Sequence, residues 1–292
     1  SEVTERALAN TDLTVQISTK LNHSHVSTGR RALILPTLGR TEKDAQRTGD
    51  QRVTVEDSMS AVHASRGRIK PASEHLHSEV AIVCSLAQKL FTDSDNLPLP
   101  NTPKAAWLSM KDDYSLVRKH IEAVVDGFED FEERIKHPGG FVLPHPPRDA
   151  RQFKTASGKA HFTGNELEFI KVPEGRLVLQ TLRSHDQYNT TIYGKDDRYR
   201  GIHGGRRVVL VNETDIADLG FKDGDMVHLI SEFRGTERRA NNFRIVSYST
   251  PKGCAAAYYP ETNVLVPLDS VADTSGTPTS KSVIVRLERA EA

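Results

Sequence analysis

Beyond Gln152, short apolar stretches alternate with polar positions. This alternation is typical of β-strands that bury one face. It predicts five strands, at residues 176–182, 207–212, 226–231, 243–248 and 282–287. Turn sequences separate several of them, at Pro173–Gly175, Asp223–Asp225 and Pro251–Gly253. Regularly spaced short strands favour a β-barrel, with one helical turn predicted at Asp215–Leu219.

The first 67 residues show another pattern. LTVQI (13–17) alternates as a strand does, and a second apolar run (32–35) stops at Pro36. With the His-rich loop 21–27 between them, the two segments resemble the tail of an α/β unit whose beginning lies upstream. The polar stretch 39–67, interrupted only by VTV, is predicted to be either disordered or laid against another part of the protein.

Apolar spacings of three and four residues predict two amphipathic helices between these regions. The first follows Pro71 with Ser73 as its N-cap, and the second runs from Asp112 to Ile135. The apolar stripe predicted for the first helix consists of Leu76, Val80, Val83, Leu86, Ala87 and Leu90. A Pro-rich linker (97–103) joins the helices. Prolines and glycines at 137–151 predict a domain boundary near residue 150.

Composition narrows the classes of function. Lys and Arg together number 39, as do Asp and Glu, so a general nucleic-acid surface is not expected. The mean hydropathy is −0.49, and the sequence shows no apolar run long enough for a membrane span. Two cysteines, Cys84 and Cys254, cannot form a disulfide framework, which favours a cytoplasmic location. Both are predicted to be buried structural thiols.

The loop TLRSHDQYNTTIYG (181–194) is the strongest local feature for function. It follows a predicted buried strand and concentrates a guanidinium, an imidazole, amides and hydroxyls. Such groups suit a polyanionic, heteroaromatic ligand, because Arg183 can bind phosphate while Gln187 and Asn189 can bind a purine or pterin edge. The alternative is an ordinary solvated polar loop.

A second candidate loop spans residues 258–270, where Tyr259 and Asn263 lie between apolar strands; Lys281 precedes the last predicted strand. Tyrosines can stack on a heterocycle and Lys281 can meet a phosphate, whereas the alternative is packing at the core edge and a solvated lysine. The sequence holds no Gly-x-Gly-x-x-Gly, P-loop, His-Glu-x-x-His or Cys-x-x-Cys motif.

These segments together resemble a known family. LQTLRSHDQYNTTIYG, followed by RRVVLVNETDIADLGFKDGDMVHLIS, is similar to the cofactor-binding C-terminal domain of the molybdopterin-guanine-dinucleotide oxidoreductases, which include formate dehydrogenase, nitrate reductase and dimethyl sulfoxide reductase. QYNTTIYG and GRTEKDAQ resemble the formate dehydrogenase-like branch. Tyr259, Asn263 and Lys281 match the aromatic residue, the Asn and the pre-final-strand Lys of that domain.

The resemblance implies a mixed α and β fold: the tail of an α/β domain with a helical connector at 1–150, then a C-terminal double-psi β-barrel at 151–292. It also implies that the barrel holds molybdopterin guanine dinucleotide carrying molybdenum or tungsten. The cofactor-binding residues that we predict are Thr181, Arg183, Ser184, His185, Gln187, Asn189, Thr190, Tyr259, Asn263 and Lys281. In this family the protein ligand to the metal and any [4Fe–4S] cluster lie upstream, so no catalytic or metal-ligating residue is assigned.

Three hypotheses of function remain at this point. In the first, the chain is the cofactor-holding C-terminal part of an oxidoreductase that passes electrons from a small substrate, with formate as the candidate, to an acceptor. The isolated chain, without the N-terminal domains, is then expected to be apo and inactive. In the second, a free-standing barrel binds another small molecule or nucleotide without redox activity. In the third, the chain is a scaffold. One fold serves many chemistries, so family resemblance alone does not fix the substrate.

Overall fold

The computed structural model describes residues 2–92, 106–166, 169–190 and 192–291. The chain forms two compact units. The barrel unit comprises Ser1–Asp12, Lys20–Arg30 and Asn165–Ala292, and the helical unit comprises Leu13–Thr19 and Arg31–Gly164. The chain passes from the helical to the barrel unit between Gly164 and Asn165. The domain boundary predicted near residue 150 stays a prediction.

Short strands are the main regular elements of the described residues. The strands are β1 (Leu13–Ser18), β2 (Arg31–Pro36), β3 (Ala45–Gln46), β4 (Gly49–Asp50), β5 (Val53–Glu56), β6 (Ala61–Ser65), β7 (Phe141–Val142), β8 (Leu177–Leu182), β9 (Val208–Val211), β10 (Met226–Phe233), β11 (Thr236–Ser247), β12 (Cys254–Tyr258) and β13 (Val283–Arg289). The helices are α1 (Glu2–Ala9), α2 (Glu79–Thr92), α3 (Ala106–Asp112), α4 (Ser115–Val124), α5 (Phe131–Arg134), α6 (Pro146–Ala150) and α7 (Glu213–Asp218). No helix within these residues is long and apolar enough to cross a membrane.

In the helical unit, β1 and β2 form a two-stranded parallel sheet, as expected for part of an α/β unit. The polar stretch 39–67 is ordered: β3 pairs with β4, and β5, β6 and β7 form a three-stranded sheet. Glu42 fixes the start of this stretch, because its carboxylate accepts hydrogen bonds from the backbone N–H groups of Gly39 and Ala72, each at 2.6 Å. Disorder, one of the two predicted alternatives, is therefore wrong.

The first predicted helix forms, but its start and its buried face differ from the prediction. Helix α2 begins at Glu79, and the Ser78 hydroxyl rather than that of Ser73 caps it by accepting from the Ala81 N–H at 3.1 Å. Ala81, Ile82 and Cys84 are the residues it buries. The predicted stripe residues Val83, Leu86 and Leu90 are exposed. Apolar side chains lie around most of α2, so spacing alone did not identify the covered face.

The second predicted helix is interrupted. The segment from Asp112 to Ile135 contains α4 and α5, separated by a turn in which Gly127 and Asp130 have φ of 89° and 53°. A left-handed backbone at two positions cannot continue a right-handed helix. The linker predicted at 97–103 lies outside the described residues. Cys84 is buried as predicted, and burial raises the pKa of its thiol. Cys254 is only half-buried.

The barrel unit confirms the predicted fold class. Six strands close in the order β10-β11-β9-β12-β8-β13. β9 is parallel to β11 and β8 is parallel to β12, while the other pairs are antiparallel. Exchanging β8, β9 and β10 for β11, β12 and β13 reproduces the same set of pairs. Two interlocked three-stranded halves of this kind form a double-psi β-barrel.

Alternate residues of the strands fill the barrel interior. Leu179, Val227, Leu229, Phe243 and Ile245 are all fully buried in one apolar cluster. The predicted strand at 243–248 is the second half of a longer strand, β11. The predicted helical turn at Asp215–Leu219 corresponds to α7, which Asn212 caps by accepting from the Thr214 N–H.

The sixth barrel strand, β12, was not predicted. Its sequence, CAAAY, lies between β8 and β9, and Ala255 to Tyr258 are all buried. A central strand that is covered on both faces shows no alternation of apolar and polar residues. Alanine is also uncommon in strands, so neither pattern nor propensity indicated this element.

Candidate functional site

The loop after β8 places Arg183 at the surface of the barrel unit. Its guanidinium donates hydrogen bonds to the Tyr259 hydroxyl and to the side-chain oxygen of Asn189, each at 2.5 Å. Both partners are neutral. Among the described residues no carboxylate lies within 4.0 Å of this guanidinium. Arg183 is therefore held in place without losing its charge to an acid, as a phosphate-binding arginine requires.

Ser184 and Gln187 lie beneath this surface and are buried. The Gln187 amide donates to the backbone carbonyls of Asn189 and Tyr259, each at 2.8 Å, and its oxygen accepts from the Ser184 N–H at 3.0 Å. These contacts use the donor and acceptor groups that we predicted would meet a heterocycle. The geometry gives Gln187 a different role, which is to fix the shape of the loop.

Arg206 organises the interior of this loop. Only 6% exposed, it donates to the Ser184 hydroxyl at 2.7 Å, to the Gln187 side-chain oxygen at 2.8 Å and to the Tyr259 carbonyl at 2.8 Å. Its charge is matched by Glu261, whose carboxylate lies 2.8 Å away. A buried guanidinium is tolerated only when it is both paired and hydrogen-bonded, and these contacts meet both conditions.

A second buried polar cluster supports the loop from behind. Asp197, 1% exposed, accepts hydrogen bonds from Arg200 at 2.5 Å and from the Tyr258 hydroxyl at 2.8 Å. Burial by itself would raise the pKa of Asp197, but the hydrogen bonds and the charge of Arg200 hold it below its ordinary value. Burial and the bond to Asp197 raise the pKa of Tyr258. Arg200 also donates to the Arg183 carbonyl at 3.3 Å, which ties the cluster to the loop.

A cleft of about 880 Å³ lies within the barrel unit. Thr190, Tyr193, Arg238 and Asn263 contribute to its lining, together with residues of the segment 20–24. Arg238 is half-buried, and no carboxylate of the described residues lies within 4.0 Å of its side chain. The cleft therefore combines an uncompensated cation with an aromatic ring and an amide. These groups can bind an anionic heterocyclic ligand.

The structure brings the predicted site residues together in part. Thr190 and Asn263 line the cleft, next in sequence to the group formed by Arg183, Asn189 and Tyr259. The other predicted residues contact one another or a neighbour outside the set. Lys281 donates from its Nζ to the Thr181 carbonyl at 2.5 Å, and the His185 ring packs against Tyr199 with centroids 3.7 Å apart.

Sequence reasoning missed Arg206, Asp197, Arg200, Tyr193 and Arg238. The first three lie in the run DDRYRGIHGGRR (196–207), where acidic and basic residues alternate before a buried strand. That mixture was a usable indication of internal ion pairs. It could not show which arginine is buried, because the partner Glu261 is 55 residues from Arg206. No three His, Cys, Asp or Glu side chains converge on a possible metal site anywhere in the described ranges.

We predict that Arg206→Gln lowers the free energy of unfolding by about 3–5 kcal/mol, because Glu261 is then left buried without its partner. Urea unfolding followed by circular dichroism measures the change. Arg289→Gln removes an exposed partner of Asp225 and should cost less than about 1 kcal/mol. Adding Glu261→Gln to Arg206→Gln should recover part of the loss. Equal costs for the two arginines would contradict the role given to Arg206.

Asp197 should make stability depend on acid pH. Its folded pKa lies below its ordinary value of 3.8, so its stabilisation is complete above that value and is lost as the pH falls through the folded pKa. We predict that Asp197→Asn lowers the urea midpoint at pH 7 and flattens its decline below about pH 4. The matched control is Asp273→Asn, at an exposed position, which should leave the acid decline unchanged. An unaltered decline in Asp197→Asn would refute this assignment.

Comparisons with known proteins follow from the sequence and the fold. Residues 177–284 match the family model described as Molydopterin dinucleotide binding domain. An uncharacterized oxidoreductase of Mycobacterium tuberculosis is 56% identical over 98% of this chain, and the protein YdeP of Escherichia coli is 42% identical over 96%. The chain spans 36% of the length of each of these relatives.

Acetylene hydratase from Pelobacter acetylenicus has a similar fold, with a TM-score of 0.57 and 14% sequence identity. The match covers 98% of this chain and 41% of the hydratase chain. At this identity the likeness concerns the fold alone. Residues 177–284 therefore belong to the molydopterin dinucleotide binding domain family, which confirms the resemblance of the chain to the C-terminal part of a molybdopterin oxidoreductase.

Proposed function

We propose that this chain holds the molybdopterin guanine dinucleotide of a molybdenum- or tungsten-containing oxidoreductase, in the longer protein of which it forms the C-terminal part. One observation carries the proposal. Within a domain of the matching family, Arg183 is fixed by Tyr259 and Asn189 and has no carboxylate partner among the described residues. Such an arginine is suited to a phosphate oxygen of the dinucleotide.

The donor set of the barrel unit fits this cofactor. Arg183 and Arg238 would bind the phosphates, Asn263 and Thr190 would hydrogen-bond a heterocycle edge, and Tyr193 offers an aromatic face. Lys281 uses one ammonium hydrogen on Thr181, which leaves two for a ligand. When bound, the cofactor supplies redox chemistry at its metal. The residues of this chain bind and orient it, and we assign them no step in proton or electron transfer.

The sheet of the helical unit supports the proposal that the working protein is longer. Parallel sheets are normally covered on both faces and extended by further strands. Here β1 and β2 expose Leu13, Val15, Leu33 and Ile34, with exposed fractions from 42% to 49%. In the longer protein we propose a cytoplasmic enzyme that oxidises a small substrate, formate being the candidate, and passes electrons to an acceptor. The metal ligand and a [4Fe–4S] cluster would belong to other domains, and this chain alone would be inactive.

Replacement of Arg183 tests the proposal. Charge-assisted hydrogen bonds contribute about 1.5–3 kcal/mol, so Arg183→Ala should weaken cofactor retention roughly ten- to a hundredfold. The measurement is metal and released guanine nucleotide per polypeptide, after extended dialysis of the longer protein that carries this chain. Asn263→Ala should show a smaller loss in the same direction.

Lys222→Ala provides the control, because Lys222 is exposed on the barrel unit and does not line the cleft. It should retain the cofactor like the unaltered protein. Full retention in both Arg183→Ala and Asn263→Ala would contradict the proposal. It would favour instead a barrel that binds another small molecule, or a scaffold.

A further inference from the structure

A basic cleft in the helical unit has no role in the function proposed above. Its volume is about 830 Å³, and it lies between the strands β5 and β6 and the turn that follows α5. The cationic or titratable side chains that line it are Arg52, His63, Arg66, Arg68, Lys136 and His137. A volume of this size accommodates a ligand as large as a nucleotide.

The charge of this cleft is concentrated and largely uncompensated. Arg52, Arg66 and Arg68 have no carboxylate within 4.0 Å among the described residues, whereas Lys136 is paired with Glu133 at 2.6 Å. The whole chain, by contrast, has no net charge. Three unpaired guanidinium groups in one concave surface repel one another, and a bound anion relieves that repulsion.

The one acidic residue of the lining does not offset this charge by pairing with an arginine. Asp57 accepts hydrogen bonds from the backbone N–H groups of Met59 at 2.8 Å and Ala61 at 3.0 Å. These bonds lower its pKa and fix it in the turn between β5 and β6. The carboxylate thus has a local structural partner, and the arginines keep their charge for a ligand.

The opposite wall of the cleft is held in a fixed position by glycine. Gly140 has φ of 68°, and a Cβ built there would lie 1.9 Å from the Val62 carbonyl oxygen, so no other residue fits. The N–H of Gly140 donates to the His137 carbonyl at 2.9 Å, which closes the turn. The cleft is therefore formed by ordered backbone on both sides and does not depend on long side chains alone.

We propose that this cleft binds a small molecule that carries two or more linked phosphoryl groups. A phosphoryl group presents three charged oxygens in a tetrahedral arrangement, so arginines approaching from different directions can each bind one of them. A carboxylate presents two oxygens in one plane and suits a single guanidinium. The enclosed shape and the zero net charge of the chain favour a small ligand over a nucleic acid.

Calorimetric titration of the chain with inorganic tripolyphosphate, at low ionic strength in a phosphate-free buffer, tests the proposal. We expect saturable binding of one molecule at the cleft. Arg66→Gln and Arg68→Gln should each weaken it roughly tenfold, since each removes one charge-assisted contact. Arg31→Gln should leave it unchanged, because Arg31 is an exposed arginine of the same unit that does not line the cleft.

Three further arms make the result specific. Arg183→Ala should leave the cleft affinity unchanged, which separates this site from the proposed cofactor site. Adenosine triphosphate should bind at least as tightly as tripolyphosphate: equal affinity means that the phosphates alone are recognised, and tighter binding means that the nucleoside also contacts the cleft. Citrate should bind at least tenfold more weakly.

The proposal is overturned if tripolyphosphate shows no saturable binding. It is also overturned if Arg31→Gln weakens binding as much as Arg66→Gln, or if citrate matches tripolyphosphate. Circular dichroism confirms that each variant is folded, and all of the substituted arginines have stems that glutamine partly preserves. A parallel titration with single-stranded DNA that outcompetes tripolyphosphate would assign the surface to nucleic acid instead.

Discussion

The Arg206–Glu261 ion pair connects three segments of the barrel unit that are far apart in sequence. Arg206 precedes β9, Glu261 follows β12, and the Ser184 and Gln187 side chains bound by Arg206 follow β8. Since Gln187 and Arg206 both also hold the Tyr259 carbonyl, the position of the Tyr259 side chain depends on this pair. The orientation of the one cation offered to phosphate, Arg183, depends in turn on Tyr259. A buried charge inside the loop thus determines where an exposed charge lies.

This arrangement explains what could be predicted of the site from sequence and what could not. The richness in donors of residues 181–194 identifies the loop, and the family resemblance adds Tyr259, Asn263 and Lys281. Composition does not say which donors are consumed internally. Gln187 and Ser184 are as polar as Asn189, yet they are buried because Arg206, 19 and 22 residues further along, binds them. Pairing across such separations depends on the barrel topology and is not visible in local sequence.

The same distinction applies to the fold. Strands β8, β9, β10 and β13 bury one face or lie between turn residues, and alternation is sufficient to predict them. β12 has neighbours on both sides and buries alanines on both faces, so it carries no periodic pattern. In the helical unit, spacing predicts α2 but not its covered face, and it overlooks Gly127 and Asp130, whose left-handed backbone ends a helix that the apolar pattern would continue. Local backbone conformation outweighs periodicity at that point.

The paired halves of the barrel bear on how many ligands the domain accommodates. β8 corresponds to β11 and β9 to β12, so the connection at 183–207 has its counterpart at 248–253. The first is long, charged and internally cross-linked, whereas the second is short. A half-barrel that once paired with a copy of itself would have offered two equivalent edges for binding. Elaboration of a single connection removes that equivalence, and the present domain is consequently one-sided, with one edge specialised for recognition and the other left as plain architecture.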